Sequence, residues 1–337
     1  MKDDQPTARA SAEPRERRLL KLFVRRICLI VPSILIASIL LFLILRGLPG
    51  DASFTLLSGS THTEAMREAL RGELGLDRPW YEQYARWMTG LFSGASTSLT
   101  NGEPVRAILS RTLPVTLLLS VYSIALSFVV ALPLGVIAGV FERRWPDRLI
   151  RTATLAGVST PAIWSSLLIL LFLVRLFRWS PPIFYASPFE DPLEHASLMI
   201  WPVLLLSWQY GSYIVRVTRA SIIDVLKMDY VATAYAKGQK RWIVIVRYGF
   251  RNALVPPVTS AGLVFGSLFG GAVVVESVFG IPGVGRGIAE AALARDIPVV
   301  LSFASVLVLL YALLNIVVDM AVLILDPRID TKGGTRP

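Results

Sequence analysis

Six apolar runs divide the chain, at roughly 27–45, 113–140, 152–177, 198–217, 255–277 and 298–325. Each is near or beyond the ~20 residues an α-helix needs to cross a bilayer's hydrocarbon core. A spanning segment must satisfy its backbone internally, so these runs predict helices, not strands. The polar intervals differ in kind. The first 20 residues are charged and predict a disordered tail. In the long interval 46–112, acid and base interleave with Met66, Leu70, Leu74, Trp80, Tyr84, Trp87 and Leu91. That spacing predicts two short amphipathic helices broken near Gly75 to Pro79, a small folded cap. The expected organisation is a tail (1–26), a first span (27–45), the cap (46–112), a five-helix core (113–325) with a basic loop at 218–254, and a second tail (326–337).

Within the basic loop, "DYVATAYAKG" (229–238) reads as a helix of about two turns, with Asp229 as its N-cap and Gly238 as the left-handed residue that closes it. So short a helix is unstable alone and must be held by other protein. Residues 240–252 predict a second small helix, apolar from Trp242 to Val246 and basic at its edges. Pro256 and Pro257 open the fifth span, where a first turn tolerates proline.

Composition agrees with the membrane. Of 337 residues 54% are hydrophobic and 17% charged, with a mean hydropathy of +0.59, where a soluble domain carries about 25% charged residues. The net charge of +10 suits cytoplasmic loops held at an anionic leaflet better than it suits nucleic acid. Lys and Arg concentrate in the N-terminal tail, in 141–151 and in 218–254, whereas 178–197 and 278–297 are poor in them. Both termini are therefore expected in the cytoplasm, with 46–112, 178–197 and 278–297 facing outward. The single cysteine, Cys28, reads as a small buried hydrophobe, and His62 and His195 fall in polar loops. No Cys/His cluster has metal-ligand spacing, so no metal and no catalytic residues are expected.

Several peptides carry a resemblance. "DYVATAYAKG" followed by "RYGFRNALVP" resembles the cytoplasmic "EAA" loop of permease subunits of bacterial ABC importers, closest to the dipeptide/oligopeptide/nickel branch. Counting back from Gly238, Ala232 takes the place of that loop's leading glutamate, followed by Thr233 and Ala234. "RGLPGD", "ELGLDRPWYEQYARWMTGLFSG", "GEPV", "STPAIW", "VESVFGIPGVG" and "LDPRID" are similar to the same branch in order and place. The outer loop between the first two spans resembles the first of the two permeases such systems use, the B type.

The resemblance implies an all-α polytopic membrane protein of the type I ABC importer permease fold, in a bacterial inner membrane. Its partners would be a homologous second permease in a heterodimer, two ATPase subunits and an extracytoplasmic solute-binding protein. The solute would be a di- or oligopeptide or a related small molecule. No cofactor is expected in this chain; ATP and Mg would belong to the ATPases, and no G-x-x-x-x-G-K-[ST] phosphate loop occurs here. Asp229, Ala232, Thr233, Ala234, Ala236 and Gly238 would form a small-faced docking helix, with Lys237, Lys240 and Arg241 pairing with acidic groups on an ATPase. For those cations, contact with lipid headgroups is the plainer alternative.

Ionisable residues and glycines inside spans are candidates for the path. Glu276 either caps the loop it opens or helps form an outer gate. Asp319 contacts solute or protons, or pairs with a neighbouring helix. Gly266, Gly270 and Gly271 permit close helix approach or keep the path open. Two other classes make different demands on the sequence. A self-contained secondary transporter would show coupling-ion ligands and usually internal repeats, and an intramembrane enzyme would show a catalytic constellation; neither is visible.

Overall fold

The computed structural model describes residues 15–47, 64–73, 75–182 and 184–325. The two tail ends, most of "RGLPGD", His62 and "LDPRID" beyond Leu325 lie outside the described residues. Twelve helices are described: α1 (Arg15–Gly47), α2 (Glu64–Glu73), α3 (Trp80–Ser93), α4 (Val105–Val140), α5 (Trp145–Ser159), α6 (Ala162–Phe172, continued by a π-helical Leu173–Phe177), α7 (Pro192–Leu226), α8 (Asp229–Ala236), α9, α10 (Val255–Phe279), α11 (Val284–Leu293) and α12 (Ile297–Leu325). Helix α9 is composite: Arg241–Ile243, a π-helical Val244–Phe250, and Arg251–Ala253.

Five helices are continuous candidates for spans, and α5 with α6, bent by 105°, counts as a sixth where the pair is taken as one broken span. The apolar run 152–177 predicted one uninterrupted helix there; the structure corrects it. The residue before a proline is pushed out of the helical region, and Thr160 is accordingly extended (φ −91°, ψ 122°) ahead of Pro161. Gln209 Nε2 of α7 donates to the Thr160 carbonyl (3.0 Å) and to Ser165 Oγ (3.2 Å), satisfying backbone that the break frees.

Other differences have local reasons. Helix α1 reaches back to Arg15, because "RERRLLKL" consists of good helix formers continuous with a helix already nucleated. Helix α4 begins at Val105, before the apolar run and inside the interval expected as cap. His195 is buried in the first turn of α7, its Nδ1 3.1 Å from the Ala186 carbonyl oxygen and its ring edge-on to Tyr122 and Tyr185. Cys28 is exposed, not buried.

The centre of the fold is the packing of α4 along α7, with α10 beside them. Apolar burial drives helices together weakly within lipid, so close approach and interhelical hydrogen bonds matter more. Gly135 and Gly139, one turn apart on α4, lie so near α7 that an added Cβ would meet Thr218 and Ile222 at 2.5 and 2.6 Å. Further along, Ser207 Oγ donates to the Ser123 carbonyl (2.9 Å) and Ser127 Oγ to the Ser207 carbonyl (3.3 Å). Helix α5 is fastened to α7 by a bidentate ion pair. Arg219 Nε and Nη2 reach the two Asp147 oxygens at 2.6 and 2.9 Å, and the Arg143 N–H donates to Asp147 Oδ2 (2.8 Å).

Helix α1 lies along α12, and α3 packs on both. The Ser38 and Tyr84 hydroxyls share a hydrogen bond (2.8 Å), and Trp87 Nε1 donates to Ser302 Oγ (3.1 Å). Asp296, buried just before α12, accepts from Ser98 Oγ (2.5 Å) and Thr100 Oγ1 (3.1 Å) and so ties down the end of the cap.

Two outcomes follow for stability. Gly135→Ala overpacks the α4–α7 contact and should cost about 1–3 kcal/mol, whereas Gly270→Ala, with nothing within 4 Å of the new Cβ, should not destabilise. Thermal unfolding in detergent compares them, and equal midpoints would refute the packing account. Asp147→Asn leaves Arg219 without its counter-charge and should cost about 3 kcal/mol. The double variant Asp147→Leu/Arg219→Met should recover most of that loss in the same assay.

Candidate functional site

Two features gather the residues singled out above: the surface of α8, and a groove beside α7.

Helix α8 follows α7 after a two-residue turn in which the Met228 N–H donates to the Val225 carbonyl (3.1 Å). Its N-cap is Met228, in the extended region, and Asp229 is the first helical residue; the expectation of Asp229 as N-cap is corrected by one position. An acid in the first turn still opposes the positive end of the helix dipole. At the other end Gly238 has φ +74°. Its N–H donates to the Tyr235 carbonyl (2.9 Å) and that of Gln239 to the Ala234 carbonyl (3.3 Å), a Schellman closure.

Val231 and Ala234 are buried among Ile222, Val225, Val244 and Ala253. Ala234 therefore faces inward and is no part of a docking face, a correction that follows from its i+3 relation to Val231. Asp229, Ala232, Thr233 and Ala236 fall on the opposite face and are exposed, as are Lys237, Gly238, Lys240 and Arg241. An added Cβ at Gly238 would meet nothing within 4 Å. Asn252 Nδ2 of α9 donates to the Tyr230 hydroxyl (3.0 Å), so α9 braces α8 from behind. The result is a short rigid helix that presents small side chains outward with three cations at its C-terminal edge.

The groove, a cavity of about 560 Å³, lies where the α5–α6 break faces α7 and α10. Thr160, Gln209, Tyr213, Leu263, Ser267 and Gly270 line it. The Tyr210 hydroxyl donates to the Ser267 carbonyl (2.6 Å) and bridges α7 to α10 at its wall. Of the expected path residues Gly270 and Gly271 both line this groove; Gly270 stands open, whereas an added Cβ at Gly271 would strike the Tyr210 hydroxyl. Gly266 instead packs against the Tyr311 ring of α12, where an added Cβ would lie at 3.0 Å. Asp319 is half-buried in α12 and does not line the groove.

Glu276 is fully buried and lies outside the groove. Its Oε1 accepts from Thr116 Oγ1 (2.7 Å) and its Oε2 from the Arg286 N–H (3.0 Å), while the Val284 N–H donates to Thr116 Oγ1 (2.8 Å). Its carboxylate thus caps the N-terminus of α11 and locks that helix to α4 and α10. Gly283 and Gly285 leave the space it occupies, since a Cβ at either would strike the carboxylate. Capping, one of the two roles expected of Glu276, is the one its contacts express.

Sequence reasoning missed three features: helix α11, the Asp147–Arg219 pair, and Asp296 at the start of α12. Arg219 was visible only as one more loop cation. Asp147 carried a usable signal, an acid directly after Pro146 at a helix start.

Comparison with known proteins places these features in a family. Residues 131–331 match the family described as "Binding-protein-dependent transport system inner membrane component", and residues 19–120 match its N-terminal counterpart. A Brucella abortus protein assigned by name to a peptide transport system as its permease is 36% identical, over 91% of this chain and 98% of its own length. The glutathione transport system permease protein GsiC of Escherichia coli is 37% identical, over 93% of this chain and its own full length. The E. coli K12 protein named "Probable D,D-dipeptide transport system permease protein DdpB" is 36% identical, over 88% of this chain and 93% of its own. Permease subunits of this kind are not themselves enzymes. A helical chain with five to six candidate spans, matched along nearly its whole length in this way, belongs to the binding-protein-dependent transport system inner membrane components, as a multi-pass permease subunit of an ABC importer of the peptide branch.

Proposed function

We propose that this chain forms half of the path of an ATP-driven importer of di- or oligopeptides or a related small solute, and that α8 is the helix through which ATPase subunits act on it. The observation that carries the coupling role is the exposed small-residue face of α8, backed by a buried one and closed by Gly238. A two-turn helix has no stability of its own. Here it is packed between the end of α7 and α9, so a load on its outer face passes directly to α7. Lys237, Lys240 and Arg241, without an ion pair among the described residues, are suited to acidic groups at the rim of an ATPase groove.

In this reading the second permease is a homologous, different chain, and two ATPases hold the ATP and Mg. A solute-binding protein docks on the outer side, at the cap of α2 and α3. In this reading the loop containing α8 and α9 and both termini face the cytoplasm, which the Lys and Arg distribution supports. The groove beside Gln209, Tyr213 and Gly270 supplies this chain's wall of the path. The peptide assignment is carried over from the names of the relatives.

Two experiments test the reading. Pull-down of the tagged chain from its native membrane in mild detergent should recover a second six-span permease and proteins with phosphate-loop motifs; recovery of the chain alone would sink it. Gly238→Asp should leave the chain in the membrane, because a left-handed non-glycine residue costs only about 1–2 kcal/mol and the space around it is open. It should uncouple ATP hydrolysis from uptake, measured in proteoliposomes of the assembled transporter. Normal uptake at normal expression would remove the coupling role from α8.

A further inference from the structure

A second cavity, of about 660 Å³, lies between α5 and α7 at the end of the molecule that carries α8. Its wall includes Arg148, Arg151, Arg216 and Arg219, with Thr154 and Leu155 at its deeper side. Four guanidiniums around one cavity repel one another unless counter-charge is present. Among the described residues Asp147 is the carboxylate bonded to them, and it is already used; Glu142 acts on Arg219 only at longer range. Both Asp147 oxygens are taken by Arg219, and one also accepts the Arg143 N–H. Arg148, Arg151 and Arg216 make no ion pair or side-chain hydrogen bond among the described residues. Three fork-shaped donors thus remain with a cavity to point into and no acceptor supplied by the fold.

We infer that Arg148, Arg151 and Arg216 form an oxyanion site for a phosphate group. Guanidinium forks match phosphate oxygens in pairs, which a point-like ammonium cannot do. Arg219 is held by Asp147 and acts as a fixed rim. The position favours a phosphate at headgroup depth. The site begins at the end of the first turn of α5 and runs along the next two turns, and the outward residues at that end are apolar: Trp145 is 73% and Leu149 64% exposed. A tryptophan beside arginines at a span's end is the pattern of a membrane–water interface. Leu155, one turn deeper than Arg151, offers an apolar wall below the cations. Basic pockets between spans on this side of a membrane hold anionic lipid headgroups. A free phosphate has the same chemistry, and experiment separates the two sources. The inference needs no assumption about which solute is carried.

The test uses the transporter assembled with its partner subunits. In the first arm it is placed in nanodiscs of phosphatidylcholine with a minor share of phosphatidylglycerol, and bound phosphatidylglycerol is counted by native mass spectrometry. The triple variant Arg148→Gln/Arg151→Gln/Arg216→Gln should bind it about a hundredfold more weakly, each cation being worth about a factor of five at the surface. The triple lysine variant should fall between, since it keeps charge but loses the forks. In the second arm, in phosphatidylcholine alone, phenylglyoxal labelling of these arginines is mapped with and without inorganic phosphate. Selective retention of phosphatidylglycerol assigns the lipid headgroup. Protection by inorganic phosphate without lipid retention assigns free phosphate. Wild-type lipid retention in an assembled glutamine variant, together with labelling indifferent to phosphate, overturns the site. Should the glutamine variant fail to assemble, the lysine variant and the labelling arm on unmodified protein still decide.

Discussion

The fold depends on how closely α4 and α7 approach. Burial of apolar surface does little to hold helices together in lipid, so the centre of this molecule rests on shape and on hydrogen bonds. Gly135 and Gly139 remove the side chains that would hold α4 away from Thr218 and Ile222, and the serines at 123, 127 and 207 stitch the same pair further along. Everything else is attached to this pair. Val136 and Val140 at the end of α4 join Ile222 and Val225 of α7 in the pocket that receives Val231 and Ala234 of α8. Near the opposite end Thr116 of α4 gives Glu276 its hydroxyl partner.

The broken span follows from a constraint of the same kind. Pro161 favours an extended Thr160 before it, and a bare break in the backbone would be costly in lipid. Gln209 supplies a donor to the Thr160 carbonyl from the neighbouring helix, which is possible only because α7 passes close by. The 105° turn then leaves space between α5, α6, α7 and α10, and that space is the groove. The break at Thr160–Pro161, with Gln209 opposite, therefore stands at the wall of the groove.

What could be read from the sequence was local. Gly238 ending a helix, and a break between two cap helices near Gly75 to Pro79, are decided within a few residues, and the structure places both there. The number of spans was legible because length and apolarity are properties of segments. The kink was not, although Pro161 was in view, because the apolar run continued across it. Which face of α8 is buried depends on Val244 and Ala253, residues brought back by a separate helix. Glu276 stood out as an ionisable group in a span, but its role is written by Thr116, 160 positions earlier. Asp147 and Arg219, 72 positions apart, lie in separate loops of the sequence and only the fold brings them together.

On the proposed coupling role, these attachments make α7 the member through which a displacement at α8 reaches the groove. Val225 packs beneath α8, and Gln209 and Tyr213 stand at the groove wall. Between Val225 and Gln209 lies unbroken helix, about 24 Å at 1.5 Å per residue. Along this length α7 is clasped by α4 through the glycine contacts and by α5 through the Asp147–Arg219 pair. A push on α8 therefore does not depend on a relay of separate side-chain rearrangements. It shifts a helix that carries α5 with it, and the nearest place able to yield is the Pro161 break, where α5 and α6 are not continuous. At the far end, the buried carboxylates of Glu276 and Asp296 pin α11 and the end of the cap to the bundle. On that proposal the chain has one end fastened, one end driven, and a defined joint between them beside the groove.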